Sequence, residues 1–278
     1  MILGTTGGRP VCLNMKLGAI HLSQLKPSVC VDAVFENRPI SEAIESVVAS
    51  GISAFEFWCW WEKDFDEVQR LRDAHKLSIS AFCTHFISLV DPDLRTAYLN
   101  GLEASISAAQ QLNCKTLISQ VGDHRVGIPR AEQRQSLIDG LKQAAEMLEP
   151  TDVTLVIEPL NEMVDHAGYY LVRSDEAFEI VEAVGSSHVQ VLFDIYHQQI
   201  SEGHLIHNIT QQIHKIGHFH AAGNPGRHEL TEGEIHYPRI FDAIQKTGFD
   251  GFVALEYWPL YDPMIGLKQT AKCFGIST

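Results

Sequence analysis

The sequence has few basic residues and no basic run. Its 278 residues include 35 acidic side chains and only 21 basic ones, so the formal net charge is −14 at pH 7. Proteins that bind the phosphate backbone of nucleic acids need clustered Lys and Arg side chains. We therefore expect no nucleic-acid partner, and an activity on DNA is disfavoured.

The sequence also lacks paired cysteine motifs, long apolar runs and a leader pattern. Its six cysteines are scattered without a CxxC pair, so we expect buried, reduced thiols in a cytosolic, that is cytoplasmic, protein. No apolar run approaches the roughly 18 residues of a membrane span. The start of the chain has no basic segment followed by an apolar one, so we predict no signal peptide and no membrane partner.

The chain instead contains a regular alternation of apolar runs and amphipathic helical patterns. Eight strand–helix alternations can be counted, and neither a linker nor a low-complexity tract interrupts them. Hydrophobic residues make up 45% of the chain, which is enough to bury a full core. The pattern predicts an α/β fold, a (β/α)8 TIM barrel that forms a single domain over residues 26–278.

Residues 1–25 do not fit a barrel unit because glycines and a proline interrupt them. We predict a short N-terminal extension that lies on the barrel or on a second copy of the chain in a homo-oligomer. Further along, the first strand is predicted over Val29–Phe35. A later helix is predicted over Ser174–Val184, with Ser174 and Asp175 as its capping residues.

Four predicted strands end in side chains that could bind a metal ion, namely Glu158, Asp194, His220 and Glu256. Their separations of 36, 26 and 36 residues each match about one βα unit. A single carboxylate in such a place could cap a helix or pair with a cation. Four polar ends on consecutive strands point instead to a barrel active site, which lies at the carboxyl ends of the strands.

The chemistry of these four side chains favours a divalent cation. Buried carboxylates repel one another unless protons, cations or a metal neutralise them, and these strands contain little Lys or Arg. Oxygen ligands with one nitrogen favour Mn²⁺, Mg²⁺ or Co²⁺ over structural zinc, which prefers Cys and His. We therefore predict one divalent metal ion with open positions for a substrate.

Two neighbouring side chains are candidate substrate contacts. His197 follows Asp194 by three residues, which places it within expected reach of a substrate oxygen. Arg227 lies in a glycine-flanked loop, where it could clamp a substrate carboxylate or hydroxyls. Alternatively, Arg227 could order the loop by pairing with Glu229 or Glu234.

The roles of four further residues stay open. His218 should share a strand face with His220, either as a hydrogen-bonding support for a ligand or as a satisfied core histidine. Trp58, Trp60 and Trp61 follow the second predicted strand. They could stack on a sugar, cover the pocket, or pack against the first or third loop.

At these residues the sequence resembles the hydroxypyruvate isomerase family of xylose-isomerase-like TIM barrels. The resemblance is dense from about Leu155 to Gly266 and only architectural before that. It is carried by the following runs: Glu158-Pro159, Asp194-Ile195-Tyr196-His197, Gly217-His218-Phe219-His220, Pro225-Gly226-Arg227-His228-Glu229, Gly233-Glu234-Ile235-His236-Tyr237-Pro238 and Leu255-Glu256-Tyr257.

The resemblance implies residue roles. In that family the positions of Glu158, Asp194, His220 and Glu256 bind the metal, and the two glutamates also move protons. The positions of His197 and Arg227 contact substrate. The position of His220 is often Gln in hydroxypyruvate isomerases, and histidine there is more similar to the related ketose 3-epimerases.

The activity implied by the resemblance is a metal-dependent isomerisation of a small hydroxy-carbonyl or sugar substrate through an enediolate. Hydroxypyruvate to tartronate semialdehyde is the family's case, and a ketose 3-epimerase is the alternative. A phosphodiesterase similar to endonuclease IV is less expected because it needs a basic DNA-binding face. A non-catalytic binding subunit is also less expected, since both Glu158 and Glu256 are present.

Overall fold

A computed structural model describes residues 25–276, and within that range eight parallel strands close into a barrel in sequence order. The predicted (β/α)8 barrel is confirmed. The predicted N-terminal extension lies outside the described residues apart from Leu25. The strands are β1 (Lys26–Cys30), β2 (Ala54–Phe57), β3 (Ser78–Cys83), β4 (Thr116–Ser119), β5 (Thr154–Ile157), β6 (Val189–Asp194), β7 (Ile216–Ala221) and β8 (Phe252–Leu255).

Helices surround the barrel, as expected for parallel strands whose two faces must both be covered. In the described range they are α1 (Val31–Val34), α2 (Ile40–Ala49), α3 (Phe65–His75), α4 (Arg95–Leu112), α5 (Arg130–Leu148), α6 (Ser174–Val184), α7 (Ile195–Ser201), α8 (Leu205–Gln212), α9 (Tyr237–Lys246) and α10 (Pro263–Cys273). None of these helices is long and apolar enough to cross a bilayer.

The inside of the barrel contains both apolar and polar side chains. A small apolar cluster, separate from the main core, joins side chains of β3 to β6: Ala81, Cys83, Ile118, Val156 and Leu192. Side chains two residues apart on a strand point to the same face. The strand positions that follow Val156 and Leu192 by two therefore also face inward, and these are Glu158 and Asp194.

The predicted first strand is wrong beyond Cys30, because Val31–Val34 forms the short helix α1. Its apolar side chains are as buried as those of a strand, so a short apolar run does not distinguish the two structures. The helix places Asp32 where it accepts a hydrogen bond from the backbone N–H of Trp58 at 2.8 Å. The Asp32 carboxylate also forms an ion pair with Lys63, whose Nζ lies 2.6 Å from Oδ1.

Helix α6 has the predicted bounds but not the predicted caps. Its N-cap residue is Arg173, and that side chain makes no capping hydrogen bond. The backbone N–H of Ser174 instead donates to the side-chain oxygen of Gln198 at 3.1 Å. Gln198 belongs to α7, which the sequence did not predict, so a neighbouring helix provides the cap.

Candidate metal centre

The four predicted ligand residues meet at the carboxyl ends of β5 to β8. Glu158, Asp194, His220 and Glu256 each present one ligand-type atom, and these atoms all lie within 4.8 Å of one another. Their exposed fractions range from 1% to 6%. Asp194 and His220 are direct partners in the ladder between β6 and β7. The geometry is that of a compact, buried pocket of oxygen atoms with one imidazole.

The two carboxylate oxygens of Asp194 have different roles, because one caps a helix and the other faces the cluster. Its Oδ1 accepts the backbone N–H groups of Tyr196 at 2.7 Å and His197 at 3.1 Å, which caps the start of α7. Its Oδ2 lies 3.6 Å from His197 Nε2 and 3.8 Å from the Arg227 guanidinium. The cap fixes the carboxylate, and the second oxygen remains directed into the cluster.

The imidazole of His220 lies between carboxylates on both sides. Its Nδ1 is 3.2 Å from Glu256 and 3.4 Å from Glu158, and its Nε2 is 2.9 Å from Glu56. Burial would lower the pKa of His220, but Glu256 and Glu56 outweigh burial and raise it well above its ordinary value. In the absence of another cation, the ring is therefore an imidazolium held by carboxylates.

Glu56 on β2 is the residue of this region that the sequence analysis missed. It is 1% exposed, and its Oε2 is 2.9 Å from His218 Nε2 and 3.0 Å from Ser80 Oγ. Burial opposes ionisation, yet His220 and His218 lower the pKa of Glu56 to about 2. The available signal was a carboxylate within the otherwise apolar run Ala54–Phe57.

Arg227 joins the cluster as a buried cation. It is 9% exposed, and its guanidinium donates to Glu256 at 2.5 Å. The guanidinium also lies 4.9 Å from the ring centre of Trp258 and 5.3 Å from that of Tyr196. Burial would lower the pKa of Arg227, but Glu256 and Asp194 raise it above its usual range.

These contacts replace the loop pairing considered for Arg227. Glu229 is fully buried, and it accepts the backbone N–H groups of Leu260 at 3.1 Å and Tyr261 at 3.3 Å. Glu234 accepts from the Asn224 side chain at 2.7 Å. The alternative of a loop-ordering ion pair is therefore wrong, and Arg227 points to the strand ends.

His197 is fully buried and held in one orientation by Asn161. The Asn161 side-chain oxygen accepts the backbone N–H of Val164 at 2.9 Å, so its nitrogen is the donor facing His197 Nδ1 at 2.7 Å. Because Nδ1 accepts, the proton of a neutral ring is on Nε2. Burial and Arg227 lower the pKa of His197 well below its ordinary value. His197 thus offers a neutral N–H donor close to Asp194.

The three tryptophans have different tasks. The Trp58 indole N–H donates to Glu256 Oε1 at 2.7 Å and thereby fixes that carboxylate. Trp61 stacks on His85 with ring centres 4.2 Å apart. Trp60 meets His85 edge-on at 5.3 Å. His85 follows β3, so Trp60 and Trp61 pack against the third loop, which was one of the alternatives.

A cavity of about 290 Å³ lies between the loops after β3, β4 and β5. Its wall includes Tyr169, whose hydroxyl donates to the backbone oxygen of Glu158 at 3.1 Å. It also includes His166, whose ring centre is 5.2 Å from that of His197. The lining residues are Phe86, Ile87, Ser88, Gln120, Gly122, Asp123, Leu160, His166 and Tyr169. The four clustered side chains are not part of this lining, and the contacts of Tyr169 and His166 connect the cavity wall to Glu158 and His197.

The cluster suits a divalent cation. Glu158 Oε1 and His220 Nδ1 are buried without an aligned hydrogen-bond partner. Burial also raises the pKa of Asp194, although Arg227 and His220 oppose that effect. Three buried carboxylates, those of Glu158, Asp194 and Glu256, face one arginine and one histidine, so the negative charge is in excess. Oxygen-rich sites with one imidazole bind Mg²⁺, Mn²⁺ and similar ions.

Comparisons with known proteins found a matching family model and named relatives. The family described as xylose isomerase-like TIM barrel matches residues 44–273. Hydroxypyruvate isomerase of Escherichia coli (strain K12) is 29% identical, over 88% of this chain and 97% of its own. The 2-oxo-tetronate isomerase of Cupriavidus necator is 31% identical, over 87% of this chain and 96% of its own.

A solved structure is also similar. The crystal structure of an AP endonuclease, family 2, from Brucella melitensis has a TM-score of 0.85 and 26% sequence identity. The match covers 89% of this chain and 98% of that chain. The similarity therefore extends over nearly the whole barrel.

Proposed function

The chain belongs to the xylose isomerase-like TIM barrel family, and from this premise we propose that it is a metal-dependent isomerase of a small hydroxy-carbonyl compound. The observation that carries the proposal is the buried cluster of Glu158, Asp194, His220 and Glu256, whose ligand atoms lie within 4.8 Å of one another. Its relatives named hydroxypyruvate isomerase and 2-oxo-tetronate isomerase support the same reaction class.

The four clustered residues would hold one Mn²⁺, Mg²⁺ or Co²⁺ ion. Such an ion supplies a Lewis acid for a substrate carbonyl and its adjacent hydroxyl. The fixed orientation of each side chain supports this role, because Trp58 holds Glu256 and the α7 cap holds Asp194. Preorganised ligands need little rearrangement when charge develops on the substrate.

The two glutamates are the proposed proton carriers. Glu158 and Glu256 directly follow β5 and β8, and both approach His220 Nδ1, at 3.4 and 3.2 Å. One of them removes the proton alpha to the carbonyl, the proton of the adjacent hydroxyl passes to the carbonyl oxygen, and the former carbonyl carbon receives a proton to complete the isomerisation. General acid–base catalysis of this kind contributes roughly 10²- to 10⁴-fold.

Arg227 and His197 are the proposed substrate contacts. The Arg227 guanidinium is positioned to bind a carboxylate, which favours an acid such as hydroxypyruvate, with tartronate semialdehyde as the product. The neutral His197 ring, with its proton on Nε2, can donate to a substrate oxygen. Asn161 keeps that proton on Nε2 because its side-chain nitrogen lies 2.7 Å from Nδ1.

A ketose 3-epimerase is the second candidate, and one observation favours it. Glu158 and Glu256 approach the cluster from non-adjacent strands, so they could serve opposite faces of one substrate carbon. In that reaction one glutamate removes the proton and the other returns it to the opposite face. The histidine at position 220 also resembles the epimerases.

Two other classes have less support. A nuclease activity, which the name of the Brucella protein implies for that protein, needs a basic face for nucleic acid. This chain has a net charge of −14. A non-catalytic binding subunit would not need Glu158 and Glu256 in the cluster. We therefore do not adopt either class.

A substrate screen on chelated and metal-restored protein tests the proposal. The purified protein is stripped with EDTA, supplied with Mn²⁺, Mg²⁺ or Co²⁺, and assayed with hydroxypyruvate, ketopentoses and ketohexoses. We expect turnover only with metal, and deuterium incorporation next to the carbonyl when the solvent is D₂O. Separate Glu158→Gln and Glu256→Gln variants should lose roughly 10²- to 10⁴-fold in kcat.

The screen also separates the two candidate reactions. An isomerase can depend mainly on one of the two glutamates, whereas an epimerase should need both carboxylates. Full turnover by metal-free protein would contradict the metal-dependent mechanism. Near-normal turnover by both Gln variants would contradict the proton-transfer roles.

A further inference from the structure

We propose that Glu56 is a positioning residue, whose carboxylate orients the His220 ring so that Nδ1 faces Glu158 and Glu256. The proposal rests on the proposed function, because it takes His220 as a metal ligand through Nδ1. Glu56 lies on β2, on the side of His220 opposite to the candidate metal centre. It contributes no atom to the cluster formed by the four proposed ligands.

The two nitrogens of His220 face different partners. Nε2 is 2.9 Å from Glu56 Oε1, whereas Nδ1 is 3.2 Å from Glu256. The two atoms are paired by charge but are not aligned as a hydrogen bond. A carboxylate only accepts, so the negative charge of Glu56 favours a proton on the nitrogen that faces it. With the proton on Nε2, the lone pair of a neutral ring is on Nδ1, where a cation would bind.

Glu56 is itself held in place from other strands. His218 on β7 contacts its Oε2 at 2.9 Å, and the Ser80 hydroxyl on β3 donates to the same oxygen at 3.0 Å. Ser80 is in turn 2.6 Å from Ser28 on β1. These contacts cross the barrel interior, so Glu56 cannot move without disturbing three other strands. Carboxylates that hold the second nitrogen of a ligand histidine set its tautomer and its ring orientation.

A different use of the same residues would be a second metal site. Ligand-type atoms of Glu56, His218 and His220 also lie within 4.8 Å of one another. That use would require both nitrogens of His220 to bind ions at once. His218 and Ser80 hydrogen-bond to Oε2 of Glu56 and hold that carboxylate without an ion. The two possibilities differ in metal stoichiometry, one ion against two.

Metal titration of variants tests the proposal without an activity assay. Mn²⁺ and Co²⁺ are titrated calorimetrically into metal-free wild type, Glu56→Gln and Glu229→Gln, and the visible spectrum of bound Co²⁺ is recorded. Glu229 is the matched control because it is equally buried but accepts backbone N–H groups of Leu260 and Tyr261. Circular dichroism verifies that each variant is folded.

We expect one ion per chain, bound about 10- to 100-fold more weakly by Glu56→Gln, as for other partners of ligand histidines. The Co²⁺ spectrum should change in Glu56→Gln and not in Glu229→Gln. If Glu56→Gln does not fold, Glu56→Asp keeps the charge but withdraws the carboxylate, and a weaker affinity and altered spectrum are expected there.

The outcomes separate this proposal from the proposed function. Wild type that binds no ion overturns the proposed function, and the role of Glu56 falls with it. Wild type that binds one ion, with equal affinity and spectrum in folded Glu56→Gln, overturns the role of Glu56 alone. Two ions per wild-type chain would also overturn it, in favour of the second metal site.

Discussion

Single polar atoms in the candidate centre have separate tasks. One oxygen of Glu256 accepts from the Trp58 indole and the other from Arg227. Asp194 likewise uses one oxygen for the α7 cap and directs the other into the cluster. A substitution that keeps shape but changes one atom should therefore affect one task and leave the other intact.

The first residue-scale prediction concerns Arg227. For a carboxylate substrate, Arg227→Ala should raise KM by roughly 10- to 100-fold, because a hydrogen bond to a charged group is worth about 1.5–3 kcal/mol. The increase should be much smaller for a neutral ketose, since that substrate lacks the anion. Steady-state kinetics on both substrates measure the difference.

Arg227→Lys is the control for charge. It keeps the cation but loses the planar guanidinium, so it should recover only part of the affinity for the acid. Equal effects of Arg227→Ala on both substrates would show that Arg227 shapes the loop after β7 and does not recognise a carboxylate.

At the scale of elements, the sequence reveals strand ends better than cross-barrel contacts. Glu158 and Glu256 could be predicted because each closes an apolar run at a regular spacing. Glu56 was missed although it interrupts an apolar run. Its partner His218 is 162 positions away in the chain, and one glutamate in a short strand resembles an outward-facing residue. The boundary at Cys30 was missed because α1 is as apolar as the strand before it.

The loops after β3 and β4 are expected to depend on Gly122. Its φ is +100°, and a Cβ there would lie 2.1 Å from Ser88 Oγ and 2.9 Å from Ser88 Cα. Gly122→Ala should therefore lower the free energy of unfolding by about 1–3 kcal/mol, through backbone strain and the clash together. Urea unfolding followed by circular dichroism measures the loss.

Gly168→Ala separates the two causes. Gly168 also has a positive φ, of +89°, but a Cβ there would have nothing within 4 Å. Gly168→Ala should lower the free energy of unfolding through backbone strain alone. Gly122→Ala should therefore be the more destabilising of the two substitutions. Equal losses would mean that the contact between Gly122 and Ser88 relaxes without cost.

For the whole molecule, the stability of the fold at acid pH should depend on the ionisation of the buried carboxylates. The pKa of Glu56 falls from the ordinary 4.5 to about 2 on folding, and the pKa of Glu256 is also lowered. A lowered pKa stabilises the fold above the unfolded value, and this contribution is lost as pH falls through the folded value. The metal-free barrel should therefore lose stability between about pH 4.5 and pH 2.

Thermal unfolding of metal-free protein at stepped pH measures this effect. Glu56→Gln lacks the titrating group, so its Tm should fall less steeply than that of wild type over the same window. The comparison removes the general effect of acid on a chain with a net charge of −14. Parallel Tm curves for the two proteins would contradict the assigned contribution of Glu56.

The placement of the candidate ligands has an evolutionary consequence. All four stand at the carboxyl ends of β5 to β8, while the loops after β3 and β4 contribute most of the wall of the cavity that Tyr169 and His166 line. Loops of a TIM barrel can change while the strands that carry them keep their packing. Descendants of one ancestor could thus acquire new substrates by altering the first half of the gene, and inherit the reaction chemistry through the second.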